Sequence, residues 1–150
     1  MISLLSAAAT VLAAYNCQLE PLRAVTLSAT GATASEIGLP PKALRFTISI
    51  EDGNPLQARV AWSGDPMQAA GKFPAVTTAP GAYAFSAYSS GPCLFTEQAC
   101  LTQFNLVDGG DQPAHIILTP VAVTTDRDKG ARHPFAAIAL GQCTRTDTKK

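Results

Sequence analysis

Residues 43–51, ALRFTISIE, alternate almost strictly: Leu44, Phe46, Ile48 and Ile50 are apolar, and Arg45, Thr47 and Ser49 are polar. Side chains of a strand point alternately to its two faces, so this period of two predicts a strand with one buried face. Asp52-Gly53-Asn54-Pro55 then supplies four turn formers in a row. Alternation resumes at Gln57–Trp62, where Ala58, Val60 and Trp62 share a face. The two runs and their turn predict a β-hairpin.

Weaker versions of the same pattern place strands near Ala24–Ala29, Phe73–Thr78, Tyr83–Tyr88, Thr102–Val107, His115–Thr124 and Phe135–Gly141. Within the third of these, Tyr83 and Phe85 fall on one face and Tyr88 on the other. Glycine- and proline-containing segments separate the strands: Gly38–Pro41, Ser63–Pro66, Ala79–Gly81 and Asp108–Asp111, with the charged stretch Asp126–Arg132 near the end. Pro120 interrupts the longest apolar run, and a residue without an N–H predicts a bulge or an edge there. The one helical candidate is a turn at Met67–Ala70. About eight short strands with such punctuation predict an all-β fold, either a small antiparallel β-sandwich or a closed β-barrel.

Composition adds limits. A chain of 150 residues fits a single domain. Apolar residues make up 47% and charged residues 15%, enough to build a core. Eleven acidic and eleven basic residues cancel. Nucleic acid and anionic membrane need clustered positive charge, so neither is an expected partner.

Residues 1–14, MISLLSAAATVLAA, carry no charged side chain and end in small residues. They read as the apolar part of a secretory signal, processed after Ala13 or Ala14, which leaves 15–150 as one β domain. The amino terminus is the sole positive group ahead of the stretch, and an upstream start would supply the missing basic region. The alternative form is an N-terminal strand or buried helix. Fourteen residues fall short of the roughly 20 that span a bilayer as a helix, so no transmembrane span is expected. Acylation of Cys17 would want a small residue before the thiol, and Asn16 stands there.

The four cysteines Cys17, Cys93, Cys100 and Cys143 permit three connectivities. Gly91-Pro92 turns the chain ahead of Cys93, which favours a tight Cys93–Cys100 loop. Domain ends often lie close together, which favours Cys17–Cys143. A disulfide-stapled, secreted or periplasmic protein follows. Cys93 and Cys100 are too widely spaced for a usual zinc pair and no C-x-x-C occurs, so neither a metal nor a redox cofactor is expected.

Other chemistry fares less well. Asp126-Arg127-Asp128 has the opening spacing of a calcium loop, but Gly130 replaces the third ligand and no closing glutamate follows. His115 and His133 are the sole histidines, and the G-x-S-x-G elbow of a serine hydrolase is missing. Carboxylate catalysis drawing on Glu51, Asp52 or Asp65 requires acids to converge from several loops. Aromatic residues are better binding candidates. Trp62, Tyr83 and Phe85 either pack a core or line a ligand-holding barrel, and Leu94 and Phe95 put apolar surface on the stiffened Cys93–Cys100 loop. The expected function is a non-enzymatic β domain binding an envelope protein or a small apolar ligand. A small secreted hydrolase and a structural envelope component are the alternatives.

Overall fold

The computed structural model describes residues 9–28, 31–37, 44–63, 70–89, 100–110, 113–125 and 130–146. Among the described residues ten strands make up one antiparallel sheet: β1 (Val11–Leu19), β2 (Leu22–Ser28), β3 (Gly31–Ile37), β4 (Arg45–Glu51), β5 (Leu56–Trp62), β6 (Gly71–Ala79), β7 (Ala82–Ser89), β8 (Cys100–Val107), β9 (Ala114–Thr125) and β10 (Arg132–Arg145). From β4 to β10 each strand pairs with the next, and β1 pairs with both β4 and β10. The sheet therefore closes on itself as an eight-stranded barrel. Closure removes the two edges that an open sheet or a sandwich would leave.

All eight expected strands are present, and the predicted hairpin is β4–β5, with Phe46 opposite Trp62 and Glu51 opposite Gln57. One expected strand, β2, lies outside the barrel. Its place is taken by β1, which occupies part of the leader-like stretch: Ala13 faces Ile50 and is buried. Residues 11–14 thus have the strand form that the sequence offered as the alternative to a leader. The helical turn at 67–70 and the Asp126–Asp128 loop lie outside the described residues. Among the described residues no helix is long and apolar enough to cross a membrane.

β1 and β2 run in succession along one edge of β10. Leu19 faces Gly141, and four residues later Arg23 faces Ile138, three positions along β10. The extra residue at Glu20-Pro21 is a bulge, and a bulge bends its strand. Here β2 departs from the barrel wall and turns back as β3, so that β9, β10, β2 and β3 extend beyond the barrel end. Pro120 lies neither at an edge nor in a register-shifting bulge, contrary to the expectation from its missing N–H: β9 lies between β8 and β10, and both ladders keep one register across it. The β9–β10 pairs stop at Leu118–Ala139 and resume at Val121–Ala136, where a residue without an N–H is accommodated inside a central strand.

Inward-facing residues alternate in size around the barrel. Ala13, Ile50, Ala58 and Phe73 form one cross-strand series, and Ala75, Phe85, Phe104, Leu118 and Ala139 another. Small beside large lets side chains from opposite walls interdigitate in a narrow lumen. Phe104 stacks on Phe85 with ring centroids 4.6 Å apart and meets Phe46 edge-on at 6.2 Å. Gly141 faces inward where β1 and β10 close the barrel. A Cβ there would lie 2.7 Å from the Gln18 carbonyl oxygen and 2.9 Å from Leu19 Cδ2. The Gln18 oxygen belongs to the neighbouring backbone and cannot swing aside. Gly141→Ala is expected to cost about 2–3 kcal/mol by overpacking, read as a lower urea midpoint.

The closing seam also carries the Cys17–Cys143 disulfide. The two residues are directly opposite in the β1–β10 register, with Cα atoms 4.0 Å apart, and both are buried in the lumen. That is the long-range pairing expected from the sequence. Cys93 lies outside the described residues, as does most of its loop.

Candidate functional site

Of the predicted binding residues, the three that are described, Trp62, Tyr83 and Phe85, do not form one constellation. Trp62 closes β5 at the barrel end from which β2 and β3 extend, half-buried and tilted against Phe46 with ring centroids 4.3 Å apart. Tyr83 lies near the start of β7 at the opposite end, partly buried against the core. Phe85 is buried between them and stacks on Phe104. Tyr88 points outward and is 62% exposed, so β7 presents the two faces that its alternation predicted. Leu94 and Phe95 lie outside the described residues. His115 is exposed on the outer face of β9, and His133 belongs to β10.

A polar cluster that the sequence did not reveal lies at the end of the barrel near Tyr83. The buried Tyr15 hydroxyl donates to Asp108 Oδ2 at 2.9 Å, and Arg145 Nη1 donates to the same oxygen at 3.2 Å. The Gly110 N–H donates to Asp108 Oδ1 at 2.8 Å, and the guanidinium sits 5.9 Å from the centre of the Tyr15 ring. The neighbouring turn is held by the Asp108 N–H donating to the Gly81 carbonyl at 2.8 Å. Gly81 has φ +73°, and a side chain there would collide with the Asp108 carbonyl oxygen.

Burial pushes the Asp108 carboxyl upward. The Gly110 N–H, the Tyr15 hydroxyl and Arg145 outweigh it and hold the group below the usual carboxylate range. Burial, followed by the bond to Asp108, holds the Tyr15 phenol above its ordinary value. A second buried acid, Glu51, lies on the outer face beneath Arg59 and Lys72, with its side chain 6% exposed. Arg59 Nε donates to Oε1 at 2.8 Å. Lys72 approaches Oε2 as an ion contact outside hydrogen-bond geometry. The Lys72 and Arg59 cations hold Glu51 below its usual range against the opposing effect of burial. Each buried carboxylate is thus matched to cations, an arrangement suited to stability.

The pH dependence follows. Carboxylates with lowered folded pKa values contribute stability that is present above their unfolded values near 4 and lost as pH falls through the folded values. A phenol with a raised value contributes stability below its unfolded value near 10 and loses it as pH rises further. The melting temperature should therefore fall below about pH 4 and again above about pH 10. Asp108→Asn should flatten the acid limb and Tyr15→Phe the alkaline one, as followed by circular dichroism.

The outer surface divides by chemistry. Arg45, Thr47, Arg59 and Lys72 point outward from β4–β6, and Asn16, Gln18, Arg45, Phe46, Thr47 and Ser63 border a shallow open depression of about 350 Å³. Arg45 Nε donates across it to Gln18 Oε1 at 2.6 Å. From β7 to β10 the outer face carries most of the exposed large apolar side chains among the described residues, Tyr88, Leu101, Val107, Ile117, Val121, Val123, Ile138 and Leu140, interspersed with the polar Ser86, Gln103, His115 and Thr119; Val11 and Leu12 on β1 and Val76 on β6 are exposed as well. Exposed apolar side chains gathered on one side of the wall mark a candidate interaction surface. An outer-membrane barrel carries its apolar band around the whole circumference and a polar lumen. Here the lumen is apolar and one flank of the wall is charged.

One signal for this face was present in the sequence. Ile116, Ile117 and Leu118, then Val121, Ala122 and Val123, make both faces of β9 apolar, the pattern of a strand covered on two sides. No protein-family model matches the sequence, and comparison with curated proteins and with solved structures gives no match.

Proposed function

We propose that this chain is an exported, non-enzymatic β domain that binds a partner protein in the cell envelope through the outer face of β7–β10. The observation that carries the reading is the apolar surface running through Tyr88, Leu101, Val121 and Leu140, set against a charged flank on β4–β6. Exposed apolar side chains gathered on one side of a wall are costly to leave in water and mark an interaction site. The protein version of the reading is favoured over a small apolar ligand, because Phe85 stacks on Phe104 within the core and Trp62 packs against Phe46 at its end. Export is supported by the buried Cys17–Cys143 bridge, since disulfides persist in oxidising compartments.

A photo-crosslinking residue placed at Leu101, Val121 or Leu140 should give one protein adduct in envelope preparations, competed by excess unlabelled domain. The same residue at Thr47 or Arg59 should give none. Adducts independent of face, or none at all, would sink the reading. Intact-mass analysis tests export separately. A mature amino terminus at or before Val11 keeps β1 whole, whereas recovery only from the cytosol with free thiols at 17 and 143 overturns it.

A further inference from the structure

We infer that the chain forms a twofold dimer by antiparallel pairing of β3 with β3 of a second copy, centred on Ala34. Among the described residues β3 ends the sheet, with β2 as its only strand neighbour. The β2–β3 ladder runs without a shift from Leu22–Ile37 to Ser28–Gly31, with two residues between the closing pair. A closing pair so placed must exchange both of its hydrogen bonds, because the alternative pattern would need a bond between adjacent residues. Strict alternation then directs the N–H and C=O groups of Thr33 and Ser35 toward β2. Those of Ala32, Ala34 and Glu36 point to the open edge.

Edge strands of this length usually carry a proline, a lysine or a bulge that discourages pairing. GATASEI has none of these, and residues 31–36 are exposed. Self-pairing fits the sequence of the strand. The register that uses all seven residues sets Ala34 against Ala34, Thr33 against Ser35 and Ala32 against Glu36 of the second copy. Ala34 with its copy, and the two Ala32–Glu36 pairs, then exchange two bonds each, and every outward group of both strands is satisfied. The side chains that meet are small, and the hydroxyl residues face one another, a favourable cross-strand pair. The single charge of the strand, Glu36, does not meet its own copy. The two glutamates lie four residues apart along the pairing, about 14 Å, which is beyond the Debye length of about 8 Å at physiological salt. Arg23 also stands opposite Glu36 within each chain.

The barrel face continues into this edge. Tyr88, Leu101, Val121, Ala136, Val25 and Ala34 are register partners in succession from β7 to β3. Pairing about Ala34 would carry this row of apolar residue types across the twofold axis without a break. A twofold contact closes on itself and leaves no β3 edge for further growth.

The test is sedimentation equilibrium of the oxidised full chain over a range of concentrations. The wild type should show a reversible monomer–dimer equilibrium. Ala34→Pro removes an outward N–H while sparing the β2–β3 bonds, and should raise the dimer dissociation constant at least about tenfold with the melting temperature of the monomer unchanged. Single cysteines at 32, 34 and 36 give a second readout. Oxidative crosslinking of identical variants should be strongest at position 34, the one residue that faces its own copy. A wild type that stays monomeric throughout, a dimer untouched by Ala34→Pro, or equal crosslinking at all three positions would overturn the inference. Crosslinks from Leu101 or Val121 to another protein bear on the proposed partner and leave this result unaffected.

Discussion

Replacing Cys17 and Cys143 together by serine is expected to lower the melting temperature by about 10–20 °C. The bridge spans 126 residues of sequence, and in the chain-entropy treatment a loop of that length is worth about 5 kcal/mol. A domain of this size loses roughly 2–4 °C per kcal/mol. The loss compares with the whole stability of many domains, about 5–15 kcal/mol. The location of the bridge gives a second, spatial expectation. It joins the first and last barrel strands across the seam, so hydrogen exchange in the variant should accelerate first in β1 and at the β10 residues that pair with it, Gly141–Arg145. Calorimetry of the double-serine variant isolates this bridge, which simple reduction of all the cysteines would not. A shift of only a few degrees, or exchange that begins on β4–β6, would contradict a role for the bridge in holding the barrel shut.

Phe104→Ala should cost about 3–5 kcal/mol, the range for removing a buried phenylalanine from a packed core. Phe104 is 1% exposed, stacks on Phe85 and meets Phe46 edge-on, so its loss leaves a cavity that two other rings border. Cross-strand neighbours Phe85 and Leu118 belong to closed-barrel strands and cannot collapse inward without breaking their register. Urea denaturation should show a lower midpoint at an unchanged slope. Phe104→Leu should recover much of the loss. Tyr88→Ala serves as the contrast: the side chain is exposed on the outer wall, and its removal should move stability by less than about 0.5 kcal/mol. Equal effects at 88 and 104 would mean that the two faces of the barrel had been assigned wrongly.

Some of the site was legible from residue types and some was not. Alternation in β7 separated Tyr83 and Phe85 from Tyr88, and the structure keeps that division. It could not tell which side becomes lumen, because both faces of a strand obey the same period. Nor could it show that Trp62 and Tyr83 lie at opposite barrel ends, since that depends on strand direction within the closed sheet. β1 is the instructive miss. Ala13, Tyr15, Cys17 and Leu19 alternate with Leu12, Ala14, Asn16 and Gln18, yet the adjoining apolar run from residue 2 masks the start of that rhythm. β3 was missed for the opposite reason, as its small and polar residues carry hardly any hydrophobic signal.

What the sequence determined by itself is therefore local. Side-chain period, turn formers and β-rich composition set the all-β class, the β4–β5 hairpin and the approximate positions of eight strands, because these depend on residues a few positions apart. The position of Cys17 and Cys143 near the two ends of the domain also indicated their pairing. Tertiary structure decided the rest: closure of β1 on β10, the departure of β2 and β3 from the wall, the Tyr15–Asp108–Arg145 cluster and the apolar outer face. Tyr15 and Asp108 are 93 residues apart. No local pattern encodes such a meeting; it follows only once all eight barrel strands have fixed their register and the sheet has closed.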